Sequence, residues 1–267
     1  MTSKRPDELL NLLRDALSEL RLPVLAEQLD ATVADGSDDN RLQWLWRLVE
    51  PQLITRRERA VERRVREAKF PSRKSLDNFD FAFQPDLDRD RVLELATLDF
   101  VRRGQNVLVA GMSGTGKSHI CIALGYLACA AGIRTRYTTS ADMLADMHAS
   151  LATNSLAEAA KPYIRPQLLI IDEVGLDRPE RDKGRDAQLF YKVVRPRHSD
   201  AKSTMITSNI DWDVWGEYLG DDVATVAILD RLIEHGHLLT IKGPSWRGEQ
   251  HRKLNAPRKK GRGKVVD

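Results

Sequence analysis

GMSGTGKS, Gly111 to Ser118, lies between the apolar run NVLVA and the helical pattern KSHICIALGYLACAAG. The spacing G-x-x-x-x-G-K-[ST] between a strand and a helix is the setting of a phosphate-binding loop. Its glycines let successive backbone N–H groups turn inward, and the following helix adds the positive end of its dipole. Gly111, Met112, Ser113, Gly114, Thr115, Gly116, Lys117, Ser118 and His119 are therefore the expected nucleotide-contacting stretch. Lys117 is expected to reach the β and γ phosphates of ATP, and the Ser118 hydroxyl to ligate Mg2+.

Outward from the loop, apolar strands alternate with helices. RDRVLELATLDFV reads as a helix before NVLVA; RTRYTT, LLIID, STMITS and HLLTIK read as four further strands. SADMLADMHASLATNSLAEAAKPYI and DVATVAILDRLIEHG carry helical patterns between them. Five short apolar strands separated by helices predict an α/β fold, a five-stranded parallel sheet between helices. Residues 7–70 differ. DELLNLLRDALSEL sets Leu9, Leu10, Leu13, Leu17 and Leu20 at helical spacing, a break is expected at Pro23, and DGSDDN is a polar turn with a helix start near Asp39. The stretch 41–70 is amphipathic and is expected to be interrupted at Pro51. The organisation expected is an N-terminal all-helical domain over 1–70, a linker over 71–89 whose Phe79, Phe81 and Phe83 are not expected to be left in water, a nucleotide-binding domain over 90–250 and a basic flexible tail over 251–267.

Three further stretches carry chemistry. LLIIDE ends in carboxylates at the C-terminal end of a buried strand, where open α/β sheets hold their ligands. Asp172 is the expected outer partner of Mg2+, and Glu173 the group that activates water against the γ-phosphate, which means hydrolysis. In STMITSN, Asn209 is placed to hydrogen-bond the attacking water or the γ-phosphate. In ILDRLIEHGH, Arg231 sits just before the last strand and is expected to reach a neighbouring subunit's nucleotide, the alternative being a salt bridge with Asp230 or Glu234. Arg247 in PSWRGEQ is a weaker candidate for a second γ-phosphate contact.

Charge is unevenly spread. Residues 53–74 hold nine basic and three acidic side chains, and residues 251–267 hold seven and one, so a net +3 conceals two basic arms around an acidic body. Arg56, Arg59, Arg63, Arg66 and Lys69 recur every three or four residues, with Arg73 and Lys74 beyond, a stripe suited to the phosphate backbone of duplex DNA. The loop RPERDKGR, residues 178–185, is a further candidate for DNA contact. With 42% apolar and 30% charged residues the chain can bury a core. No apolar run reaches the ~18 residues of a membrane span, and a cytoplasmic protein is expected. Cys121 and Cys129 are read as packing residues; His119, His235 and His237 lack metal-site spacing and are read as structural. Trp44 and Trp46 are assigned to the N-terminal helical core and its contacts, not to a cofactor site.

These stretches together resemble the IstB-type ATPases of insertion sequences, relatives of the DnaC helicase loaders within the AAA+ class. The resemblance runs through LRLPVLAEQL, ERRVREAKFPSRKSLDNFDF, LATLDFVRRGQNVLVAGMSGTGKSHICIALG, LLIIDEVG, TSNIDWDVWGEYLGDD and AILDRLIEHGHLLTIKG to SWR, nearly the whole chain. Met112 and Ser113 replace two prolines usual in that loop, and Ser118 a threonine, changes that keep every phosphate-contacting group. The resemblance implies an AAA+ core that binds and hydrolyses ATP. It also implies a homo-oligomer with nucleotide at subunit interfaces, assembly on duplex DNA, and delivery of that DNA to a transposase encoded by the same element. A helical lid is expected to be absent, only a short tail following HLLTIK. The rivals are a DnaC-like replicative helicase loader, a small-molecule kinase and a DNA-packing protein without turnover. An acceptor pocket is not evident beside Glu173, which disfavours the kinase.

Overall fold

The computed structural model describes residues 6–23, 25–27, 29, 39–176 and 183–255. The chain divides into two compact units, residues 1–63 and 64–267. Residues 178–182 of the candidate DNA loop 178–185, the tail beyond Asn255 and most of the turn before Asp39 lie outside the described residues.

In the first unit, helix α1 (Pro6–Glu19) opens with Asp7 and Glu8, which oppose the partial positive charge of its N-terminus. Leu9, Leu13, Ala16 and Leu17 are buried along one stripe, together with Leu42, Val49 and Leu53 of α2 (Asp39–Ala68). The expected interruption at Pro51 does not occur: α2 runs through it for 30 residues. Proline forfeits one backbone bond within a helix, and burial of Val49 and Leu53 on either side offsets that loss. Trp46 packs against this core, whereas Trp44 is 63% exposed, correcting its assignment to the core. At 100° per residue, position 44 falls on the side of the helix opposite Leu42, Val49 and Leu53. Arg57 pairs with Glu19 at 2.6 Å, an exposed contact of small worth, and Arg56 donates to the Leu20 carbonyl at the end of α1 at 3.2 Å.

In the second unit, α3 (Arg89–Ala96) and α4 (Asp99–Arg102) replace the single helix expected there, because Leu98 between them takes a left-handed conformation at φ 64. Then follow β1 (Asn106–Gly111), α5 (Lys117–Ala130), β2 (Thr135–Thr139), α6 (Ser140–Leu151), α7 (Leu156–Ile164) and β3 (Leu168–Val174). After these come α8 (Lys183–Ser199), β4 (Ser203–Ser208), α9 (Trp215–Leu219), α10 (Asp222–Ile233), β5 (Gly236–Ile241) and α11 (Trp246–Asn255).

The five strands form one parallel sheet in the order β2-β3-β4-β1-β5. Both faces are covered, so the strands are apolar on successive residues rather than alternate ones. Val107, Val109, Leu168, Ile170 and Met205 enter one core with Ile120 and Leu124 of α5. Leu108, Leu169, Ile171 and Ile206 enter the other with Met143 of α6, Phe190 of α8 and Ile228 of α10. Cys121 and Cys129 are fully buried free thiols. The chain leaves β1 by way of the phosphate loop and returns in β2 at the far edge. The ends of β3 and β4 therefore meet beside the loop at the reversal of strand order, the position at which such sheets bind ligands.

Two segments read otherwise from sequence alone. Residues 71–89, expected as a linker, send Phe79 and Leu87 into the first core, and Phe70 just before them stacks on Tyr126 at 4.6 Å. Phe81 and Phe83 are half-buried. Residues 251–255, expected to lie in the flexible tail, belong to α11, which continues to Asn255. Helix α11 is tied to the phosphate loop, Trp246 N–H donating to the Gly114 carbonyl at 2.9 Å, so more than a short tail follows β5.

Candidate nucleotide site

The loop leaves β1 at Gly111, and Gly111, Gly114 and Gly116 all have positive φ. At Gly114 a Cβ would stand 2.2 Å from Ser245 Oγ, and at Gly116 it would stand 2.6 Å from the Phe79 ring. The absence of side chains there is thus a steric requirement, and it leaves backbone N–H groups able to face an anion. Thr115 Oγ1 donates to the Met112 carbonyl at 2.9 Å and closes the turn. Met112 itself is exposed.

Lys117, first in α5, is buried, and Nζ donates to Gly111 O at 2.8 Å, Met112 O at 2.8 Å and Asn209 Oδ1 at 2.7 Å. Burial lowers its pKa, and nearby Arg247 lowers it further, against the attraction of Asp172 and Glu173. Asp172 lies at the end of β3 and is 1% exposed. Ser118 Oγ and Thr207 Oγ1 both donate to its Oδ1, the former at 2.8 Å, and Tyr137 OH donates to its Oδ2 at 2.7 Å. Burial and the two acids push the Tyr137 phenol far up, so it is a donor at any ordinary pH. The Ser118 hydroxyl and Asp172 carboxylate form a pair of hard oxygens, a donor set that fits Mg2+ with further oxygens from phosphate.

These groups line one cleft of about 1090 Å3 together with Glu173 and Asn209. His119 also lines it, its Nε2 on the Ser75 carbonyl at 2.8 Å and its ring edge-on to Phe79 at 5.3 Å. Arg247 reaches the same cleft from α11. Lys69, Arg73 and Lys74, the last members of the basic stripe, line its wall as well. Arg59, Arg63 and Arg66 are exposed on α2.

Arg231 is not among the residues lining this cleft. Its Nη1 donates to the Ala227 carbonyl at 2.7 Å, and its guanidinium lies 5.0 Å from the Tyr191 ring centroid. The pairing imagined with Glu234 is taken instead by His198, at 2.9 Å. His237 contacts Arg91 at 2.7 Å and Gln105 at 3.0 Å, an arrangement internal to the fold.

Sequence reading missed Tyr137 and Thr207, which hold Asp172, and Phe79, which lies against the loop. Tyr137 and Thr207 sit 35 residues to either side of Asp172, at strand positions where tyrosine and threonine are ordinary. The alternation of apolar strands could have placed the ends of β2 and β4 beside β3, but not the reach of a hydroxyl.

The model of the family described as IstB-like ATP binding protein matches residues 15–254. A protein of insertion sequence IS5376 from Geobacillus stearothermophilus, named for ATP binding, is 34% identical over 235 residues, covering 87% of this chain and 92% of its own. Its counterpart in insertion sequence IS21 of Pseudomonas aeruginosa is 35% identical over 239 residues, 89% of each chain. Among solved structures, AMPPCP-bound DnaA from Aquifex aeolicus superimposes with a TM-score of 0.52 at 20% identity, covering 72% of this chain and 58% of its own. That likeness is one of fold.

Proposed function

Since this chain belongs to the IstB-like ATP-binding protein family, we propose that it is a DNA-dependent AAA+ ATPase of an insertion sequence, which assembles on duplex DNA and recruits the transposase of the same element. The observation that carries the catalytic part is the convergence of Lys117, Ser118, Asp172, Glu173 and Asn209 on one cleft. Lys117, already held among carbonyl oxygens, exchanges those contacts for the β and γ phosphates of ATP. Ser118 and Asp172 hold Mg2+, which supplies charge neutralisation when bound. Glu173 accepts the proton of the attacking water, and Asn209 orients that water against the γ-phosphate. Arg247 adds a positive charge from the same subunit.

Arg231 acts on the nucleotide of a neighbouring subunit. Its place outside the lining of its own cleft supports this reading, as do Val223 and Val226 of the same helix, 83% and 58% exposed and suited to a second copy of the chain. The exposed arginines of α2 supply the grip on DNA, with Lys69, Arg73 and Lys74 opening onto the cleft itself. ATP binding then favours the assembly and hydrolysis resets it.

The test is the dwell time on duplex DNA with ATP. Glu173→Gln is expected to bind ATP and stay on DNA about tenfold longer than the unaltered protein. Equal dwell times sink the switch. Co-purification with a hexameric helicase in place of the transposase reassigns the partner.

A further inference from the structure

The ladder between β3 and β4 is irregular at one point. Ile171 pairs with Ile206, but the next registered pair is Val174 with Ser208, so Asp172 and Glu173 together face Thr207. The extra residue is absorbed at Glu173, whose φ of 64 lies in the left-handed region. For a residue with a Cβ this conformation costs on the order of 1 kcal/mol and persists only where neighbours hold it. The shift also takes the Glu173 N–H out of the regular ladder.

Thr207 meets both demands with one hydroxyl. Its Oγ1 accepts the Glu173 N–H at 2.9 Å and donates its own proton to Asp172 Oδ1. A hydroxyl has one proton and two lone pairs, so both bonds form at once. The side chain is 1% exposed, and Asp172 is equally buried, so no solvent replaces either bond. Thr204, on the same strand, shows the alternative use of a buried threonine: it accepts from Arg197 Nε at 3.0 Å, remote from the cleft. The backbone bond to the residue expected to activate water sets Thr207 apart.

We infer that Thr207 is a positioning residue for ATP hydrolysis: it pins the left-handed turn at Glu173 and, through the same hydroxyl, fixes Asp172, so that the water-activating carboxylate and the carboxylate next to Ser118 are held in one geometry. This inference rests on the reading of Glu173 as the base. Loss of the hydroxyl frees the Glu173 backbone to relax towards ordinary strand geometry. A carboxylate misplaced by about 1 Å loses up to 10²-fold in rate. Binding of ATP, carried by the loop and Lys117, does not depend on that turn, and Asp172 keeps its bonds from Ser118 and Tyr137 when the Thr207 hydroxyl is removed.

The experiment compares Thr207→Val, Thr207→Ser, Thr207→Ala and Glu173→Gln in the full chain. Phosphate release and binding of a fluorescent ATP analogue with Mg2+ are both measured. Valine keeps the shape and removes the hydroxyl; it is expected to lower kcat about tenfold or more while Kd stays within about threefold. Serine restores kcat to within about threefold. Alanine, should valine fail to fold, is expected to show the same kcat loss. Turnover of Thr207→Val or Thr207→Ala at the unaltered rate, with Glu173→Gln inactive, overturns the inference and leaves the base in place. A loss shared equally by kcat and Kd, or one that serine does not repair, assigns Thr207 to packing alone. Full turnover by Glu173→Gln overturns the base and this inference with it.

Discussion

Lys117 Nζ donates to Asn209 Oδ1 across 2.7 Å, joining the first turn of α5 to the end of β4 over 92 residues of sequence. The bond holds the ammonium group among carbonyl oxygens at the root of the loop, and it ties the group expected to orient water to the group expected to grip phosphate. Asn209→Ala is expected to lower kcat by about 10²-fold, the worth of one preorganised polar contact in a water-poor site, with ATP affinity little changed. Single-turnover phosphate release beside equilibrium nucleotide binding checks the split. An affinity loss without a rate loss assigns Asn209 to holding Lys117.

Gly114 tests the approach of α11 to the loop. Its φ is +81, and a Cβ there would lie 2.2 Å from Ser245 Oγ. Gly114→Ala is expected to push the start of α11 away and weaken ATP binding about tenfold or more. Arg247→Ala, which leaves the backbone alone, is expected to reduce turnover more than binding. Equal behaviour of the two variants makes α11 a wall and nothing more.

Phe79 tests the status of the supposed linker. It is buried against the loop and α5, and truncation to alanine is expected to cost about 3 kcal/mol of stability. Urea denaturation measures the change. A loss below about 1 kcal/mol returns residues 71–89 to a loosely attached segment.

His119 gives a pH dependence with a definite sign. Burial lowers its pKa below the ordinary histidine value of about 6.5, against the Ser75 carbonyl bond, and Lys74 lowers it further. The unfolded chain therefore takes up a proton more readily than the folded one. The stabilising contribution is fully present above about pH 6.5 and is lost as pH falls through the folded-state pKa. His237 is displaced in the same direction, by burial and Arg91. The melting temperature is expected to fall between about pH 7 and pH 5, and to fall less in His119→Gln. Identical pH slopes for the two proteins count against it.

Arg59, Arg63 and Arg66 are exposed on α2, and each is expected to contact one DNA phosphate. Replacing all three with alanine should reduce the slope of log K against log salt by about 3, with no change in the order of preference among DNA sequences. An unchanged slope moves the DNA-binding surface elsewhere.

The nucleotide fold was legible because its signals are local. Strands buried on both faces must be apolar throughout, the loop needs glycine where φ is positive, and a carboxylate at a strand end is visible in six residues. GMSGTGKS, LLIIDE and STMITSN therefore determined the sheet, the loop and the group of side chains that meet at the cleft. Pro51 and Trp44 misled for the opposite reason. Burial beside Pro51 outweighed one lost backbone bond, and Trp44 fell on the face turned away from the core.

Tertiary structure alone decided what surrounds and holds that group. Tyr137 and Thr207 reach Asp172 from two different strands, and Phe79 comes from a stretch that reads as linker. None of these has a periodicity or spacing of its own, because hydrogen bonds across strands join atoms whose separation along the chain carries no information. The sequence by itself determined that phosphate is bound. Only the fold decided how Asp172 and Glu173 are held, since that depends on a one-residue shift between β3 and β4 and on a single hydroxyl placed to absorb it.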